Sequence, residues 1–571
     1  MKKLFVPLLI FCCLTNGYAQ KKGYYTNPIL AGFYPDPSIC RVGNDYYLVN
    51  STFSYFPGIP VFHSTDLVNW KLISHVITRE EQMDFTGKGV SRSLFAPTIR
   101  YHDGLFYLTC TMIDGKGNFV VTAKDPAGPW SNPTWLPIDG IDPSLYFDDD
   151  GKCYITYNSI PPDNKSLYDG HRTIRINEFD YKNGKVLGEN RIIVNGGTDI
   201  SKKPSWIEGP HIVKKHGYYY LISAEGGTGA DHSVVAFRSR DIYGPYTSYE
   251  KNPVLTQRHL TGERKHPITS TGHADFVELP DGRWYTVFLG TRPYEGDFFN
   301  TGRETFLTPV EWKDEWPLIN PGQDEVQYHY PLPFPVNTKS LNHYSGNFSY
   351  KDEFNTGLNT DWIFLRTVKE KWYDTKTKEG FLSLRLRQET VAGKQNPSYI
   401  ARRQQHTNFT ATAGLQFAAK SENEKAGLLC FINEDHFYFI GLSVKNNQPV
   451  VQLFQSPANK SDSNSMTLLA EKQLSKNNSI IQLKVEGKGA DYSFAFSTDK
   501  KNWTLLGDKV DGRFLSTKVA GGFGANFVGV TIGLYATSLG IPTTNVAHFD
   551  WFQYQGFDEV FQHNGTKSSI K

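Results

Sequence analysis

The sequence predicts an all-β protein with two domains, a five-bladed β-propeller followed by a β-sandwich. The chain has 571 residues, and single hydrophobic cores rarely grow beyond about 250–300 residues, so more than one domain is expected. Its 50 Gly, 31 Pro, 32 Tyr and 38 Phe suit tight turns and short strands better than long helices. A short hairpin phrase also recurs five times in the first half of the chain.

Charge and composition exclude several classes of protein. Lys and Arg together number 60 and Asp and Glu 58, so the basic excess typical of nucleic-acid binders is absent and no nucleic-acid partner is predicted. A hydrophobic content of 39% excludes a disordered chain. The near-neutral balance suits an uncharged substrate. The aromatic rings suit stacking on sugars, although most of them are expected to form core.

The first 19 residues are predicted to be a signal peptide. Two lysines precede an apolar run at 4–14, and Gly17 and Ala19 supply small residues before Gln20. This run is too short to span a bilayer, and no later stretch reaches 18 apolar residues. We therefore expect an exported protein, periplasmic or secreted, without a membrane span. A lipoprotein anchor at Cys12 or Cys13 is the alternative, and the residues before them form a poor lipobox.

The hairpin phrase organises residues 20–325. Each copy has a turn ending in Gly, then an aromatic-rich position, Tyr and β-forming residues, which is a hairpin signal. Spacing of roughly 60 residues predicts five four-stranded blades, and the alternative is a large β-sandwich with accidental similarity. The copies stand at Asp103-Gly104, Asp150-Gly151, His216-Gly217 and Asp281-Gly282, with a looser first copy at Gly43-Asn44-Asp45.

The second half of the chain has a different pattern. The Pro-rich stretch at 326–350 is predicted to be a linker. Residues 351–558 alternate apolar and polar positions, with turn signals every ten or so residues and no helical period, which predicts a β-sandwich. Residues 559–571 are predicted to be a C-terminal tail. The cysteines after the signal peptide are far apart and lack metal-binding spacing, so we expect buried thiols.

Three acids are candidates for chemistry. Asp36 and Asp142 each precede Pro-Ser at the start of a blade, where proline favours an extended backbone and both side chains could face the propeller axis. Ordinary turn chemistry is the alternative. Glu208 lies beside Trp206 and Ile207, and partial desolvation would raise its pKa, unless it is a solvent-facing residue at a strand end. Glycoside hydrolysis needs one protonated carboxyl group and one ionised carboxylate.

Four motifs in order resemble glycoside hydrolase family 43. They are Tyr-Pro-Asp-Pro-Ser at 34–38, Ile-Asp-Pro-Ser at 141–144, Ile-Glu-Gly-Pro at 207–210 and Thr-Gly-His-Ala-Asp at 271–275. The resemblance covers residues 27–317 and implies a five-bladed propeller that hydrolyses terminal arabinofuranosyl or xylosyl linkages with inversion. The remainder is similar to the β-sandwich of many β-xylosidases and α-L-arabinofuranosidases of this family.

The resemblance implies a role for each acid. Asp36 matches the general base, Glu208 the general acid, and Asp142 the third acid, whose charge raises the pKa of the general acid and which orients it. Inversion predicts that the Asp36 and Glu208 carboxyl groups lie roughly 6.5–9.5 Å apart. His273 matches a histidine near the axis, often beside a cation or water. A core histidine bonded to the backbone is its alternative.

Further positions match sugar contacts. Phe53 and Phe95 match aromatic walls of the pocket, with core packing as the alternative, and Arg303 matches a donor to sugar hydroxyls. Family xylosidases commonly have Trp where this chain has Phe95, and the smaller wall favours arabinofuranosidase activity. In similar two-domain members a sandwich loop closes one side of the pocket. The Gly-rich stretch at 521–527, with Phe523, could be that loop, or else a flexible surface hairpin.

No cofactor is expected for the chemistry. Glu353 and Asp550, near the two ends of the sandwich, could share a structural Ca²⁺, since this cation prefers carboxylate oxygens, and two solvated acids are the alternative.

The leading hypothesis is an exo-acting, inverting α-L-arabinofuranosidase that acts on terminal pentoses of plant cell-wall polysaccharides or oligosaccharides. A β-D-xylosidase, or an enzyme with both activities, is the alternative. A hypothesis of another class is a non-catalytic carbohydrate-binding propeller. A retaining enzyme of the fructan-cleaving type would carry an Arg-Asp-Pro motif, which the sequence lacks.

Overall fold

The computed structural model describes residues 23–260, 263–335, 343–457, 461–475 and 480–562. Strands dominate, and the all-β prediction is confirmed. The predicted signal peptide lies outside the described residues. Across the described ranges, no helix is long and apolar enough to cross a bilayer. The helices found are short 3₁₀ turns at Pro162–Asn164, Ile200–Lys202, Gly512–Leu515 and Glu559–Phe561.

Five antiparallel sheets form the propeller, as predicted. The strands of each sheet pair in chain order, except that Leu255–Thr256 of blade four pairs with Ser233–Ser239. Blades one and two contain Ser38–Val42, Asp45–Val49, Gly58–Ser64 and Lys71–Ile77, then Ser93–His102, Leu105–Ile113, Gly117–Ala123 and Thr134–Trp135. Blade three contains Ile141–Phe147, Cys153–Ser159, Thr173–Asp180 and Lys185–Asn195. Blades four and five contain Glu208–Lys215, Tyr218–Glu225, Ser233–Ser239, Thr247–Ser248 and Leu255–Thr256, then Thr269–Glu278, Trp284–Thr291, Glu304–Lys313 and Trp316–Ile319.

All five predicted hairpin turns connect the first and second strands of a blade. The turn glycines have φ between 63° and 84°, a left-handed conformation that glycine adopts without steric cost. At four of them an added Cβ would meet no atom within 4 Å. Glycine is therefore favoured at these positions by the backbone conformation and not by a lack of space. The turn glycines are Gly43, Gly104, Gly151, Gly217 and Gly282.

The start of each inner strand is kinked. Asp36 and Asp142 have φ of 53° and 58°, so the expectation of an extended backbone before proline was wrong at both positions. Ala96, Gly209 and His273 are left-handed at the corresponding points of the other blades, with φ of 33°, 55° and 53°. In blades two to five the pairing register shifts at this kink, as at a β-bulge. The kink therefore recurs around the axis.

The two ends of the propeller segment pair with each other. Tyr24–Thr26 pairs with His329–Pro331, inside the stretch predicted as a linker. Asn27 Nδ2 donates to the Leu307 carbonyl oxygen at 2.9 Å. The N-terminal segment thereby packs against the third strand of blade five. From the predicted tail, residues 559–562 are described, and Phe561 is buried.

The second domain is a sandwich of two eight-stranded sheets, as predicted. One sheet contains Tyr373–Asp374, Leu382–Arg385, Val546–Gly556, Asn408–Gln416, Ile481–Lys488, Asp491–Ser497 and Thr504–Asp511, with Ser349–Asp352 paired to Val546–Gly556. The other contains Thr467–Gln473, Gln448–Gln455, His436–Lys445, Lys425–Asn433, Thr531–Thr537, Ser398–Arg403, Ile363–Leu365 and Tyr55–Phe56.

The last strand of that second sheet comes from the propeller. Tyr55–Phe56 pairs with Phe364 and Leu365 of the sandwich, and the Tyr55 hydroxyl bonds to Thr531 Oγ1 at 3.1 Å. One hydrophobic cluster includes residues of both domains. The two domains thus share a core.

The cysteines of the described residues are buried free thiols, as predicted. They are Cys40, Cys110, Cys153 and Cys430.

An ion pair with a fully buried arginine reinforces this junction. Arg366 of the sandwich is fully buried and pairs with Glu434. Arg366 Nε donates to the Lys88 carbonyl oxygen of the propeller at 2.6 Å, and Glu434 Oε1 accepts from the Val90 amide at 2.9 Å. Both members of the pair therefore hold the same propeller loop.

Arg366→Met is expected to lower the free energy of unfolding by about 3–5 kcal/mol, because the fully buried guanidinium would be lost together with its hydrogen bond to the propeller, and Glu434, 17% exposed, would lose its cation. Lys369→Met is the matched control. Lys369 also crosses the junction to Asp84, but that pair is exposed, and its loss should cost less than about 1 kcal/mol. Urea unfolding of the three proteins provides the measurement, and equal losses for the two variants would contradict the expectation.

Candidate active site

A cavity of about 460 Å³ opens where the inner strands of the propeller begin. Its lining combines residues of blades one to five with a loop of the sandwich. All eight residues predicted to form a catalytic or sugar-binding site line this cavity. They are Asp36, Asp142, Glu208, Phe53, Phe95, Arg303, His273 and Phe523.

Asp36 is buried, and its carboxylate accepts a hydrogen bond and forms an ion pair. Its Oδ2 accepts a hydrogen bond from Ser51 Oγ at 2.6 Å, and its Oδ1 accepts from an Arg303 guanidinium N–H at 2.8 Å. His273 Nδ1 lies 3.9 Å from the same Oδ1. Burial alone would raise the pKa of Asp36, but Arg303, His273 and the Ser51 hydrogen bond hold it below its ordinary value. The carboxylate is therefore ionised at neutral pH.

Asp142 and Glu208 are perturbed in the opposite direction. Burial, with a contribution from the negative charge of Asp36, raises the pKa of Asp142 to about 6, although His273 and a hydrogen bond from the Gly209 amide at 3.1 Å oppose this rise. Burial followed by the charges of Asp142 and Asp36 raises the pKa of Glu208 well above its ordinary value. At neutral pH the cavity thus holds ionised carboxylates at Asp36 and Asp142, while the environment of Glu208 favours its protonated form.

Three phenyl rings form one wall of the cavity. Phe53 and Phe95 meet edge to face with ring centroids 5.3 Å apart, and Phe527 lies 6.0 Å from Phe53 in a stacked arrangement. The Arg303 guanidinium carbon lies 5.6 Å from the Phe527 centroid. Phe527 was not among the predicted contacts. The signal for it was its place in the same Gly-rich stretch as Phe523.

The stretch at 521–527 reaches the propeller from the sandwich. Phe523 lies 5.6 Å from the Phe299 ring, and its carbonyl oxygen accepts a hydrogen bond from Thr228 Oγ1 at 2.9 Å. The Phe527 amide donates to Ser91 Oγ at 3.0 Å. Contacts to three separate propeller loops hold this stretch across one side of the cavity.

A polar network lies beneath the acids. Asp275 Oδ2 accepts from Ser38 Oγ at 2.7 Å and from Arg100 at 2.8 Å. Arg100 also contacts His211 Nδ1 at 3.1 Å, and His211 contacts Ser144 Oγ at 2.9 Å. The network joins blades one, two, three, four and five just beyond the kinks. Sequence reasoning missed it, although Asp275 ends the Thr-Gly-His-Ala-Asp motif and His211 directly follows the Ile-Glu-Gly-Pro motif.

Both halves of the chain match models of known families. Residues 25–317 match glycosyl hydrolases family 43, and residues 351–555 match the β-xylosidase C-terminal concanavalin A-like domain. The chain belongs to glycosyl hydrolases family 43. It is therefore a glycoside hydrolase of the xylosidase and arabinosidase group.

Relatives of this family 43 enzyme match over nearly their full length. A xylosidase/arabinosidase of Butyrivibrio fibrisolvens is 38% identical over 532 residues, covering 92% of this chain and 98% of the relative. A non-reducing end α-L-arabinofuranosidase of Bacteroides ovatus, BoGH43B, is 39% identical over 546 residues, covering 95% and 96%. The solved structure named Bacteroides ovatus Xyloglucan PUL GH43B has a TM-score of 0.82 at 37% identity and covers 94% of this chain and 100% of its own.

The proposed Ca²⁺ ligands of this enzyme gain no structural support. Glu353 is exposed, and its carboxylate accepts from Lys351 Nζ at 2.6 Å. Within the described parts of the chain, no group of three or more His, Cys, Asp or Glu side chains could hold a metal ion. The Ca²⁺ at Glu353 and Asp550 stays a prediction.

Arg303→Met is expected to lower the free energy of unfolding at neutral pH, because Asp36 would stay buried and ionised without its cation. In the wild type the lowered pKa of Asp36 stabilises the fold above that pKa. In the variant burial would raise this pKa, so the deficit relative to wild type should shrink as falling pH protonates Asp36. Urea midpoints of both proteins across acidic pH give the measurement.

Arg283→Met is the matched control, since Arg283 pairs with Asp281 at an exposed turn. Arg283→Met should lower the free energy of unfolding only slightly, and by a similar amount at every pH. A deficit of Arg303→Met that is independent of pH would contradict the expectation.

Proposed function

We propose that this enzyme releases terminal pentoses from plant cell-wall polysaccharides or oligosaccharides with inversion, most specifically as an α-L-arabinofuranosidase. The observation that carries the proposal is the opposite shift of two pKa values in one cavity, with Asp36 lowered and Glu208 raised. Hydrolysis by inversion uses this pair of protonation states.

In the proposed mechanism Asp36 is the general base. Arg303 and Ser51 keep it ionised and orient it, so that it can take a proton from a water molecule. That water attacks the anomeric carbon while the bond to the leaving oxygen breaks. Glu208, the general acid, gives its proton to this oxygen. Exchange with solvent then deprotonates Asp36 and reprotonates Glu208.

Asp142 would support the acid. Its negative charge is, after burial, the largest cause of the raised pKa of Glu208. Its Oδ2 also accepts from the amide of Gly209, the residue next to Glu208, at 3.1 Å. Asp142 would therefore both keep the acid protonated and hold its segment in place.

Cleavage from the chain end is supported by the sandwich loop. Phe523 and Phe527 close one side of the cavity, so a polysaccharide could enter only with its terminal sugar. The small wall at Phe95 supports a preference for a furanose, and a similar protein from Bacteroides ovatus is named a non-reducing end α-L-arabinofuranosidase. A β-D-xylosidase, or a dual activity, is the second candidate, supported by the relative named xylosidase/arabinosidase.

We also infer export to the periplasm or the medium from the predicted signal peptide at 1–19. The mass of the mature protein, with its N-terminal residue identified, tests this inference.

Asp36→Ala and Glu208→Ala are each expected to lower kcat by at least about 100-fold on a pentoside with a sugar leaving group, since each removes one proton-transfer step. Asp150→Ala, at an exposed turn of blade three, is the control and should turn over like wild type. Wild-type rates for Asp36→Ala in correctly folded protein would contradict the mechanism. Sugar binding without any released pentose would instead support a non-catalytic propeller, which the family relationship disfavours.

Asp142→Asn is expected to move the alkaline limb of the pH–rate profile to lower pH. Glu208 must be protonated to act, and removing the charge of Asp142 lowers the pKa of Glu208. The pKa of Asp142 itself is about 6, so the shift applies above that pH, where the wild-type carboxylate is ionised. An alkaline limb that stays in place would exclude this role for Asp142.

The preferred pentose is decided by comparing kcat/KM on an aryl α-L-arabinofuranoside and the matching aryl β-D-xyloside. We expect the arabinofuranoside to react faster. Phe95→Trp should shift the ratio toward the xyloside if the size of this wall sets the preference. A wild type that favours the xyloside would replace the leading candidate by the second one.

A further inference from the structure

Trp206 lines the cavity at a point where no sugar contact was predicted. It is half-exposed and belongs to the segment between blades three and four. Its φ is 57°, a left-handed conformation that is strained for a bulky residue. The Trp206 amide donates to the Gly170 carbonyl oxygen at 2.8 Å, which holds the strained backbone in place. A large, partly exposed ring kept in a costly conformation at the edge of a site calls for a functional reason.

A guanidinium group covers one face of this ring. The Arg172 carbon Cζ lies 3.9 Å from the Trp206 ring centroid, within the range of a favourable cation–π contact. In the described residues, the guanidinium has no ion pair within 4.0 Å and no hydrogen-bond acceptor. Burial lowers the pKa of Arg172, while Glu208 and Asp139 raise it. The stack on Trp206 is therefore the main contact of this side chain, and it fixes the plane of the indole.

The position of Trp206 relative to the acids identifies its side of the cavity. Trp206 stands two residues before Glu208 in the chain, and both residues line the same cavity. The general acid must touch the oxygen between the released pentose and the rest of the substrate. Trp206 therefore lies next to that oxygen.

The wall for the released pentose lies elsewhere. Phe53 and Phe95 belong to blades one and two, and Phe527 to the sandwich loop, whereas Trp206 precedes blade four. Blades one and four are not neighbours in a five-bladed propeller. The Trp206 indole therefore offers a flat apolar ring to the cavity from a blade that does not adjoin blade one.

We propose that Trp206, held by Arg172, is the platform on which the sugar that carries the pentose stacks before and during cleavage. The ligand is a pyranose ring of a neutral polysaccharide backbone or side chain, whose apolar face suits an indole. This inference rests on the proposed function, because it assumes that Glu208 protonates the oxygen linking the pentose to that sugar. Binding energy from this ring would help to orient the reacting bond.

The test compares two substrates with the same pentose, a methyl pentoside and a pentosyl disaccharide. Both need an acid, but only the disaccharide has a ring to stack. Trp206→Ala should lose about 10-fold more kcat/KM on the disaccharide than on the methyl pentoside. Trp206→Phe keeps a flat ring without the N–H, so it should retain most of the disaccharide preference. Equal losses on both substrates for Trp206→Ala would overturn the proposal and leave Trp206 as a positioning residue for Glu208.

Arg172→Met should lower kcat/KM more on the disaccharide than on the methyl pentoside. The difference between the two substrates should be smaller than for Trp206→Ala. Arg175→Met is the matched control, on the strand Thr173–Asp180 that Arg172 directly precedes, and Arg175 donates to the Ile160 carbonyl oxygen. It should leave the ratio of the two kcat/KM values unchanged. A change in that ratio as large as for Arg172→Met would show that loss of charge, not of the stack, is responsible.

Calorimetry in the Asp36→Ala background separates this proposal from the proposed function. The intact disaccharide should bind about 10-fold more weakly when Trp206→Ala is added. Unchanged affinity would overturn the platform while leaving the hydrolytic mechanism intact. Hydrolysis of the disaccharide by Asp36→Ala would overturn the mechanism, and the affinity difference would still report on the platform.

Discussion

The left-handed kink at the start of each inner strand is the constraint on which the site depends. Asp36 and Asp142 occupy it in two blades, and Gly209 occupies it beside Glu208 in a third. Non-glycine residues in this region cost on the order of 1–3 kcal/mol each, so neighbouring contacts must hold them. The β-bulges and the network around Asp275 and Arg100 supply those contacts. Three carboxyl groups thereby meet in one cavity from separate blades.

Once these acids are close together, the surrounding charges give them different protonation states. Each of them is buried, and burial by itself would raise the pKa of all three carboxyl groups. The guanidinium of Arg303 contacts only Asp36 directly, at 2.8 Å, which keeps that carboxylate ionised. The negative charges of Asp36 and Asp142 then make ionisation of Glu208 still less favourable. Arg303, together with His273 and the Ser51 hydroxyl beside the same carboxylate, thereby distinguishes a base from an acid among three similar groups.

The sandwich completes the propeller's site as well as its core. Tyr55–Phe56 leaves the propeller to join a sandwich sheet, and Phe53 lies just before this strand. Arg366 and Glu434 hold the nearby loop, while Phe527 returns from the sandwich to stack on Phe53. The phenyl wall of the cavity therefore depends on both domains, so a change at their junction should affect substrate binding as well as stability.

The sequence by itself determined the blades, the hairpin turns and the identity of the candidate acids. Each is encoded by a few adjacent residues, as in the turn at Asp103-Gly104, where only local backbone conformation matters. Only the tertiary structure decided the left-handed backbone at Asp36, the contribution of Phe527 and the stacking of Arg172 on Trp206. These depend on residues far apart in the chain, or on burial. The opposed pKa values of Asp36 and Glu208 likewise arise from charges that come together only when the blades close around the axis.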